Sequence, residues 1–508
     1  MAGHLISLMI ALPFFGAILQ ALLPPVGGKN SSGSVTRWAA LLSSLAASLC
    51  GIVLVGSMRQ QVPDFQVSET FAWIGSYAIS YDVAIDGLNA LLVLLISIVF
   101  PLLIAAESNR KSGLRGIQAL LLVLQASLMG AVCAQDLFLI FFFWTLSSLP
   151  IFFMIGIWGG EGREKAAIQT MITSAIGNAF LFAALILIYY SIDPHTFSLR
   201  ELAGGKLAGK TFQILESEFS VSNVAFAFFG IGLAFRIPIW PIHGWFTQVA
   251  REAPPSAFVA LGAVTVPVGM YIFVRTTYTL FPETVAQMAH TVAMIGAVNL
   301  VMGGICAVAQ RGLTMLLAFV CLGEVGALLI GIGSLSSAGV VGSIFQALVL
   351  GLGVAGFGLF AGIISDRTGK TVFKDEDGKV AIGGIASQAP MIAVVAGVMI
   401  ASLLGIPGFG GFVGRSLLMI GSFSVHPVVV LFGGLAFLLA TYYLFGMYRT
   451  VFFGKAVSEK SSDFMDLTAW EKAYLVPLVV SLVLLGLYPK FLIELVRPTA
   501  LTLLSTIK

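Results

Sequence analysis

The chain has 508 residues, of which 58% are hydrophobic and only 10% charged, whereas a soluble domain carries about 25% charged residues. Apolar runs of about 20 residues recur along the chain, which is typical of membrane-spanning helices and not of the alternating strands of a membrane β-barrel. The net charge of +3 does not indicate a nucleic-acid partner. The sequence therefore predicts an all-α polytopic protein whose surroundings are the lipid bilayer.

The apolar runs predict about 14 transmembrane helices in a single domain over residues 1–508. The predicted spans are 4–24, 37–57, 87–106, 117–134, 136–158, 166–190, 223–250, 256–276, 289–309, 313–333, 341–365, 390–421, 426–450 and 473–496. Lys and Arg are about twice as numerous in the loops on one side as on the other, which predicts that side as cytoplasmic. Both termini are therefore predicted on the outer side.

Proline and glycine interrupt two of these spans. The seventh predicted span contains Pro238 and Pro241, and the twelfth contains Gly405, Pro407 and Gly408. Proline lacks a backbone donor and clashes with the preceding helical turn, so we expect both helices to be discontinuous. Broken helices at corresponding places in two halves of a chain indicate an inverted repeat around an ion path.

An arginine lies beside each predicted break, Arg236 in the seventh span and Arg415 in the twelfth. An isolated charge in the bilayer costs at least about 2.5–3.5 kcal/mol, so each arginine needs a partner. Glu324 is the only acid predicted well inside a span, and a static ion pair with one of the arginines is favoured over a relay carboxylate. For His243, bonding of freed backbone is favoured over proton transfer. These charges favour a polar path over a simple kink.

Four separated blocks of sequence carry a family resemblance. They are Ala84-Ile-Asp-Gly-Leu88; Asp136-Leu-Phe-Leu-Ile-Phe-Phe-Phe-Trp144 with Pro150 and Ile157-Trp-Gly159; Pro238-x-x-Pro241-x-His243-x-Trp245 with Glu252-Ala-Pro254; and Gly405-Ile-Pro-Gly408 with Phe412-Val-Gly414. In this order they resemble the antiporter-like membrane subunits of respiratory complex I, and most closely the NuoM type. The resemblance covers essentially the whole chain.

The resemblance implies two inverted five-helix repeats, at about 117–276 and about 289–450, and a line of titratable residues through the membrane. This chain departs from that line at most positions. The family glutamate is replaced by Thr145, the family lysines by Arg236 and Pro267, the family histidines by Glu324 and Leu350, and the last family carboxylate by Arg415. Arginine stays charged, and proline and leucine carry no proton. We therefore predict a structural or coupling role, or an altered proton path.

The resemblance also implies a membrane-arm subunit of a proton-translocating NADH:quinone oxidoreductase, with other membrane-arm subunits as partners, in a bacterial inner membrane. FMN, iron–sulfur clusters and quinone are then expected in partner subunits, since no cofactor motif is visible in this chain. Its cysteines lack CxxC spacing and are interpreted as packing residues: Cys50, Cys133, Cys306 and Cys321. The alternatives are a Mrp-type cation/proton antiporter subunit, a membrane subunit of an energy-converting hydrogenase-type complex, and a purely structural spacer.

Overall fold

The computed structural model describes residues 4–22, 32–108, 110, 113–214, 217–375, 377–455 and 464–507. Within these ranges twelve helices are long and apolar enough to cross a membrane, and two shorter apolar helices begin the predicted seventh and twelfth spans. The predicted all-α polytopic fold is confirmed. The orientation of the chain in the membrane stays a prediction. Residues 23 and 24 of the first predicted span lie outside the described ranges. So do four of the loop cations on which the predicted orientation depends, Lys29, Lys111, Lys460 and Lys508.

The first half of the chain contains twelve of the described helices. They are α1 Leu5–Leu22, α2 Ser32–Ser57, α3 Gly87–Glu107, α4 Leu114–Cys133, α5 Leu137–Leu146, α6 Ser148–Trp158, α7 Arg163–Ser191, α8 Leu199–Leu202, α9 Val221–Ala234, α10 Gly244–Glu252, α11 Pro255–Val259 and α12 Val266–Leu280. Two antiparallel hairpins lie in the polar connections, formed by β1 Val67–Ile74 with β2 Ile79–Ile85 and by β3 Thr211–Ile214 with β4 Ser217–Ser220. Neither hairpin is predicted by the sequence patterns above.

The second half contains the other described helices. They are α13 Pro282–Val308, α14 Leu313–Gly333, α15 Ser337–Thr368, α16 Pro390–Leu404, α17 Gly410–Phe423, α18 Pro427–Phe453, α19 Ala469–Leu487 and α20 Lys490–Ser505. The most apolar stretches of the α11–α12 segment and of the long helix α15 are entirely buried, whereas most of the corresponding stretches of α18 and α19 is not. The core therefore lies along α12, α14 and α15, and the outer helices present apolar faces to their surroundings.

Glycines let the central helices approach closely. A Cβ atom on Gly303 of α13 would lie 2.5 Å from the backbone nitrogen of Gly323 in α14, and one on Gly351 of α15 would lie 2.4 Å from the carbonyl oxygen of Ala263. Small residues at such crossings allow backbone contact between membrane helices. This packing brings α14 next to the second half of each interrupted span, α10 and α17, and α15 next to both halves of the twelfth, α16 and α17.

One predicted span is present but carries an interruption that the sequence patterns do not predict, and another needs correction. The fifth is interrupted at Ser147, between α5 and α6, because Pro150 has no N–H for the Leu146 carbonyl. The fourteenth, predicted to run to residue 496, ends at Leu487, and α20 begins at Lys490. A proline disfavours the helical conformation of the residue before it, so the helix ends just before the Tyr488-Pro489 pair. The predicted breaks in spans seven and twelve are both present.

The connection before α19 caps the start of α16. The Asp466 carboxylate accepts hydrogen bonds from the backbone N–H groups of Met391 at 2.9 Å and Ile392 at 3.1 Å. Partial burial alone would raise the pKa of Asp466, but the N–H groups of Met391, Leu467 and Ile392 together lower it below its ordinary value. Asp466 therefore stabilises the fold above its unfolded-state pKa, and this contribution is lost as the pH falls through the lowered folded-state value.

Asp466→Ala is accordingly expected to destabilise the protein by about 1 kcal/mol at neutral pH, the usual cost of a lost helix cap. The difference from the unaltered protein should shrink as the pH is lowered through the carboxyl range. Thermal unfolding at several pH values measures both effects. Asp377→Ala is the control, because Asp377 is exposed and pairs with exposed Lys379. A difference that stays constant with pH would contradict the capping role of the carboxylate.

Candidate functional site

The first break places Arg236 inside the membrane domain. Helix α9 ends at Ala234, residues 235–243 form turns, and α10 begins at Gly244. The Arg236 and Ile237 N–H groups still donate to the Leu233 carbonyl, at 2.9 and 2.8 Å, so the chain leaves the helix in a tight turn. Two prolines then prevent the helix from continuing. As a result Arg236 is buried, with only 3% of its surface exposed.

Neutral groups surround the Arg236 guanidinium. It donates to the Trp144 carbonyl oxygen and, at 2.9 Å, to the Ser147 hydroxyl. Its carbon atom Cζ lies 4.0 Å from the centroid of the Trp144 ring, which is cation–π geometry. These acceptors lie at the interruption of the fifth span. In the part of the chain that the structure describes, no carboxylate lies within ion-pair distance of Arg236.

Asn299 of α13 holds the first break to its neighbours. Its Oδ1 accepts from the Trp240 N–H at 2.8 Å, and its Nδ2 donates to the carbonyl oxygens of Pro238 at 3.2 Å and Leu322 at 2.7 Å. Asn299 is completely buried. One amide thus satisfies backbone groups that the break leaves without helical partners and ties them to α14. Sequence reasoning missed this residue, whose only signal is a lone amide in an apolar span.

The second break has the same construction in α16 and α17. Helix α16 ends at Leu404, and Gly405 and Gly408 adopt φ values of +67° and +97°, which favour glycine. Helix α17 begins at Gly410. A Cβ atom on Gly411 would lie 1.8 Å from the carbonyl oxygen of Ser402, so only glycine permits this close return. The break brings Arg415, in the first turns of α17, back to the end of α16.

Glu324 lies at the centre of the second polar cluster. Its Oε1 accepts from Arg415 Nη2, and its Oε2 accepts from Gln346 Nε2 of α15 at 2.8 Å. Arg415 Nη2 also donates to the Leu403 carbonyl oxygen at the end of α16. Glu324 and Arg415 are 6% and 9% exposed. The predicted pairing of Glu324 with one of the two arginines is therefore present, and Arg415 is the partner.

A small cavity of about 30 Å³ opens on this pair between α13, α14 and α18, which is room enough for a water molecule. Arg415 Nη1 and Gln346 Oε1 are buried and have no hydrogen-bond partner among the described residues. Tyr443 of α18 lines the same cavity. Unpaired polar atoms of Arg415 and Gln346 thus lie beside the ion pair, and Tyr443 lines the cavity that opens on it.

Three other positions on the line of titratable residues that the resemblance implies carry no charge in this chain. Pro267 and Leu350 are buried in α12 and α15, and the Thr145 hydroxyl has no partner among the described residues. Helix α12 follows a wide, π-helical turn, Ala260–Thr265. It touches the first break, because a Cβ atom on Gly269 would lie 2.9 Å from Ile237 and Trp144 side-chain atoms. Helix α12 thus lies next to the first polar cluster, and none of the three positions adds a titratable group.

His243 precedes α10 and packs edge-on against Phe319 of α14, with 6.1 Å between ring centroids. Its Nδ1 atom is buried and has no partner among the described residues. The backbone bond expected of His243 is supplied by Asn299 instead. His243 remains a predicted path position.

A second buried ion pair lies away from both breaks and is absent from the sequence predictions. Arg275 of α12 donates to the carboxylate of Asp86, which also caps α3 by accepting from the Leu88 and Asn89 N–H groups. Arg275 lies near the end of the predicted eighth span and counts among the predicted outer-side charges, but it is buried and lies near Tyr271 and Phe65. This pair fastens α3 to α12.

The two clusters share one arrangement. In each, an arginine beside a helix break donates to a carbonyl oxygen near an interruption, Trp144 for Arg236 and Leu403 for Arg415. Arginine remains protonated at cellular pH, so both clusters contain a fixed positive charge. Arg415 is compensated by Glu324, whereas Arg236 is stabilised by dipoles and an aromatic ring.

Comparison with protein families matches residues 134–447 to the NADH:quinone oxidoreductase/Mrp antiporter transmembrane family. Among curated proteins, the NADH-quinone oxidoreductase subunit M of Rhodobacter capsulatus is 29% identical over 499 residues, covering 98% of this chain and 95% of its own length. The NAD(P)H-quinone oxidoreductase chain 4 of a Nostoc species is 30% identical over 505 residues, covering 96% of this chain and 89% of its own.

Solved structures show the same fold. A chain of respiratory complex I from Thermus thermophilus superposes with a TM-score of 0.87 at 23% identity, over 99% of this chain and all of that one. A chain of the Mrp complex from Dietzia sp. gives 0.82 at 17% identity, over 97% of this chain but only 52% of that one. The archaeal membrane-bound sulfane sulfur reductase gives 0.82 at 18% identity, over the full length of both chains.

Proposed function

Since the chain belongs to the NADH:quinone oxidoreductase/Mrp antiporter transmembrane family, we propose that it is a membrane-arm subunit of a complex I-like NADH:quinone oxidoreductase. Its partners are then the other membrane-arm subunits, and its location is an energy-transducing membrane, the inner membrane in a bacterium. Electron transfer, with FMN, iron–sulfur clusters and quinone, takes place in partner subunits.

Chain length and the names of the relatives support this assignment over the alternatives. The curated relatives named as NADH-quinone oxidoreductase subunits match over nearly their full length. By contrast, this chain spans about half of the Mrp chain whose fold it shares. The sulfane sulfur reductase has the same fold over its whole length, so the fold does not distinguish between parent complexes. The sequence relatives therefore decide in favour of NADH:quinone oxidoreductase.

The buried, neutral surroundings of Arg236 are the main observation behind the proposed mechanism, in which Arg236 is not a proton-relay group. A relay group must gain and lose a proton in each cycle, which lysine does readily and arginine does not. The contacts of Arg236 are a carbonyl, a hydroxyl and an aromatic ring, so no described neighbour could take up its proton. We infer that this centre supplies a constant charge and stores no proton.

The second centre supports the same interpretation. Glu324 has both oxygens engaged, one by Arg415 and one by Gln346, as expected of a static pair. The interrupted helices and the small cavity beside Arg415 nevertheless retain a polar interior, which a mere spacer would not need. The subunit is therefore proposed to couple or position its neighbours, or to conduct protons by a changed route.

The proton-to-electron ratio of the complex in liposomes tests the mechanism. Arg236→Gln keeps a hydrogen-bonding side chain but removes the fixed charge. In variants that still assemble, we expect an unchanged ratio, because no proton storage is lost. The control is Arg200→Gln, which removes a half-exposed arginine paired with Asp82. A ratio reduced by one subunit's share, with electron transfer intact, would show that Arg236 takes part in pumping.

The parent complex is tested separately by purification in mild detergent. We expect the chain to co-purify with subunits that carry FMN and iron–sulfur clusters, identified by mass spectrometry and by absorption of the bound cofactors. Recovery with hydrogenase or Mrp subunits would overturn the assignment to NADH:quinone oxidoreductase. It would leave the inference about Arg236 to be tested in that complex.

A further inference from the structure

A cavity of about 500 Å³ opens where α13 ends, α14 begins and α18 ends. Its wall includes Gln310 after α13, Lys374 in the connection after α15, Tyr442 and Arg449 of α18, and Lys455 after α18. This end of the molecule carries the basic connections that predict the cytoplasmic side. Because the cavity lies at the ends of spanning helices, it lies at the depth of the lipid headgroups.

The charges that line the cavity all have one sign. Lys374, Arg449 and Lys455 line it, and no acidic residue of the described ranges does. Among the described residues these three cations take part in no ion pair. The nearby Asp375 carboxylate is engaged by the Lys379 N–H at 2.7 Å. Since like charges repel, an anion inside the cavity lowers the electrostatic energy, and phosphate oxygens suit both ammonium and guanidinium donors.

An exposed apolar face leads away from this cavity along α18. Leu431, Leu438 and Phe445 are exposed, as are Tyr442 and Phe453 at the cavity itself. A soluble anion would use only the charges, whereas a phospholipid would use the charges for its phosphate and the apolar face for its acyl chains. The combination therefore favours a lipid as the occupant.

The large cavity also adjoins the second polar cluster. Tyr443 lines both the large cavity and the small cavity that opens on Glu324 and Arg415. Gly304 of α13 and Gly433 of α18 line the small cavity without filling it. Helical periodicity places Gly433 and Tyr443 on another side of α18 than Leu431, Leu438 and Phe445, so an acyl chain on the exposed face leaves this opening free.

We propose that the cavity binds the phosphate of an anionic phospholipid, with Lys374, Arg449 and Lys455 as its cationic ligands and an acyl chain along α18. A zwitterionic lipid carries a positively charged ammonium group that the three cations repel, so the site selects anionic over zwitterionic headgroups. The proposal uses only residues of this chain and is independent of which complex contains it.

The test uses the chain purified in mild detergent with the subunits that it retains, after its phospholipid has been removed by detergent exchange. Binding of added dioleoyl-phosphatidylglycerol, dioleoyl-phosphatidylcholine or inorganic phosphate is followed by native mass spectrometry. We expect phosphatidylglycerol to bind in preference. Each basic residue near a membrane surface contributes about fivefold in affinity. Lys374→Gln/Arg449→Gln should therefore weaken binding about 30-fold.

The matched control is Arg163→Gln/Lys165→Gln, which removes two exposed cations from the same predicted side and should leave the affinity unchanged. Equal binding of phosphatidylcholine, displacement of the lipid by inorganic phosphate, or an equal loss in the control variant would each overturn the proposal. If the double variant fails to fold, two other measurements decide the question. One is lipid binding by Lys374→Gln alone, with its expected fivefold loss of affinity. The other is the comparison of the two lipids on the unaltered protein.

Discussion

Glu324→Gln is expected to destabilise the protein by about 3–5 kcal/mol, the usual cost of removing one partner from a buried ion pair. The substitution leaves the Arg415 charge buried without a carboxylate partner, facing only neutral acceptors such as the Leu403 carbonyl. Gln346 also loses its charged acceptor. The unfolding midpoint of the purified protein and the amount of chain that assembles in the membrane measure the loss.

A double-mutant cycle separates the ion pair from other effects of the substitution. Glu324→Gln/Arg415→Gln removes both charges, so its loss should be clearly smaller than the sum of the two single losses. Glu494→Gln is the control, because Glu494 pairs with exposed Lys490 and such surface pairs contribute about 0–1 kcal/mol. Strictly additive losses in the cycle would show that Glu324 and Arg415 do not interact energetically.

Asn299→Leu is expected to cost about 2–6 kcal/mol, because it leaves the part-buried Trp240 N–H and the buried Pro238 carbonyl without their side-chain partner, at about 1–3 kcal/mol each. Leucine has the same branched arrangement of side-chain heavy atoms as asparagine, but it can form none of these hydrogen bonds. Hydrogen exchange of the peptides that cover residues 236–243 reports on the break itself. We expect the Trp240 N–H to exchange faster in the variant, since its acceptor is gone.

The matched control is Asn178→Leu in α7, because Asn178 Oδ1 is a buried amide oxygen without a partner among the described residues. That variant should keep the exchange of residues 236–243 unchanged. An Asn299→Leu protein that unfolds earlier but keeps normal exchange in the break would assign Asn299 to general packing and contradict its role in holding the break.

Part of the site follows from the sequence because charges are expensive inside a membrane. A single acid among apolar spans has few possible partners, so the sequence alone suffices to match Glu324 to an arginine. The partners of Arg236 do not follow in this way. Every residue has a carbonyl oxygen, and only the interruption at Ser147 shows which carbonyl is accessible to the guanidinium.

The sequence by itself determined the membrane class, most of the spans and the two broken helices, because apolar runs and prolines act through local backbone chemistry. Tertiary structure alone decided which helices are central and that Asn299 and Gln346 join the polar clusters. Their roles depend on contacts between helices far apart in the chain. A lone amide in an apolar span has no local pattern that reveals which backbone groups it will meet.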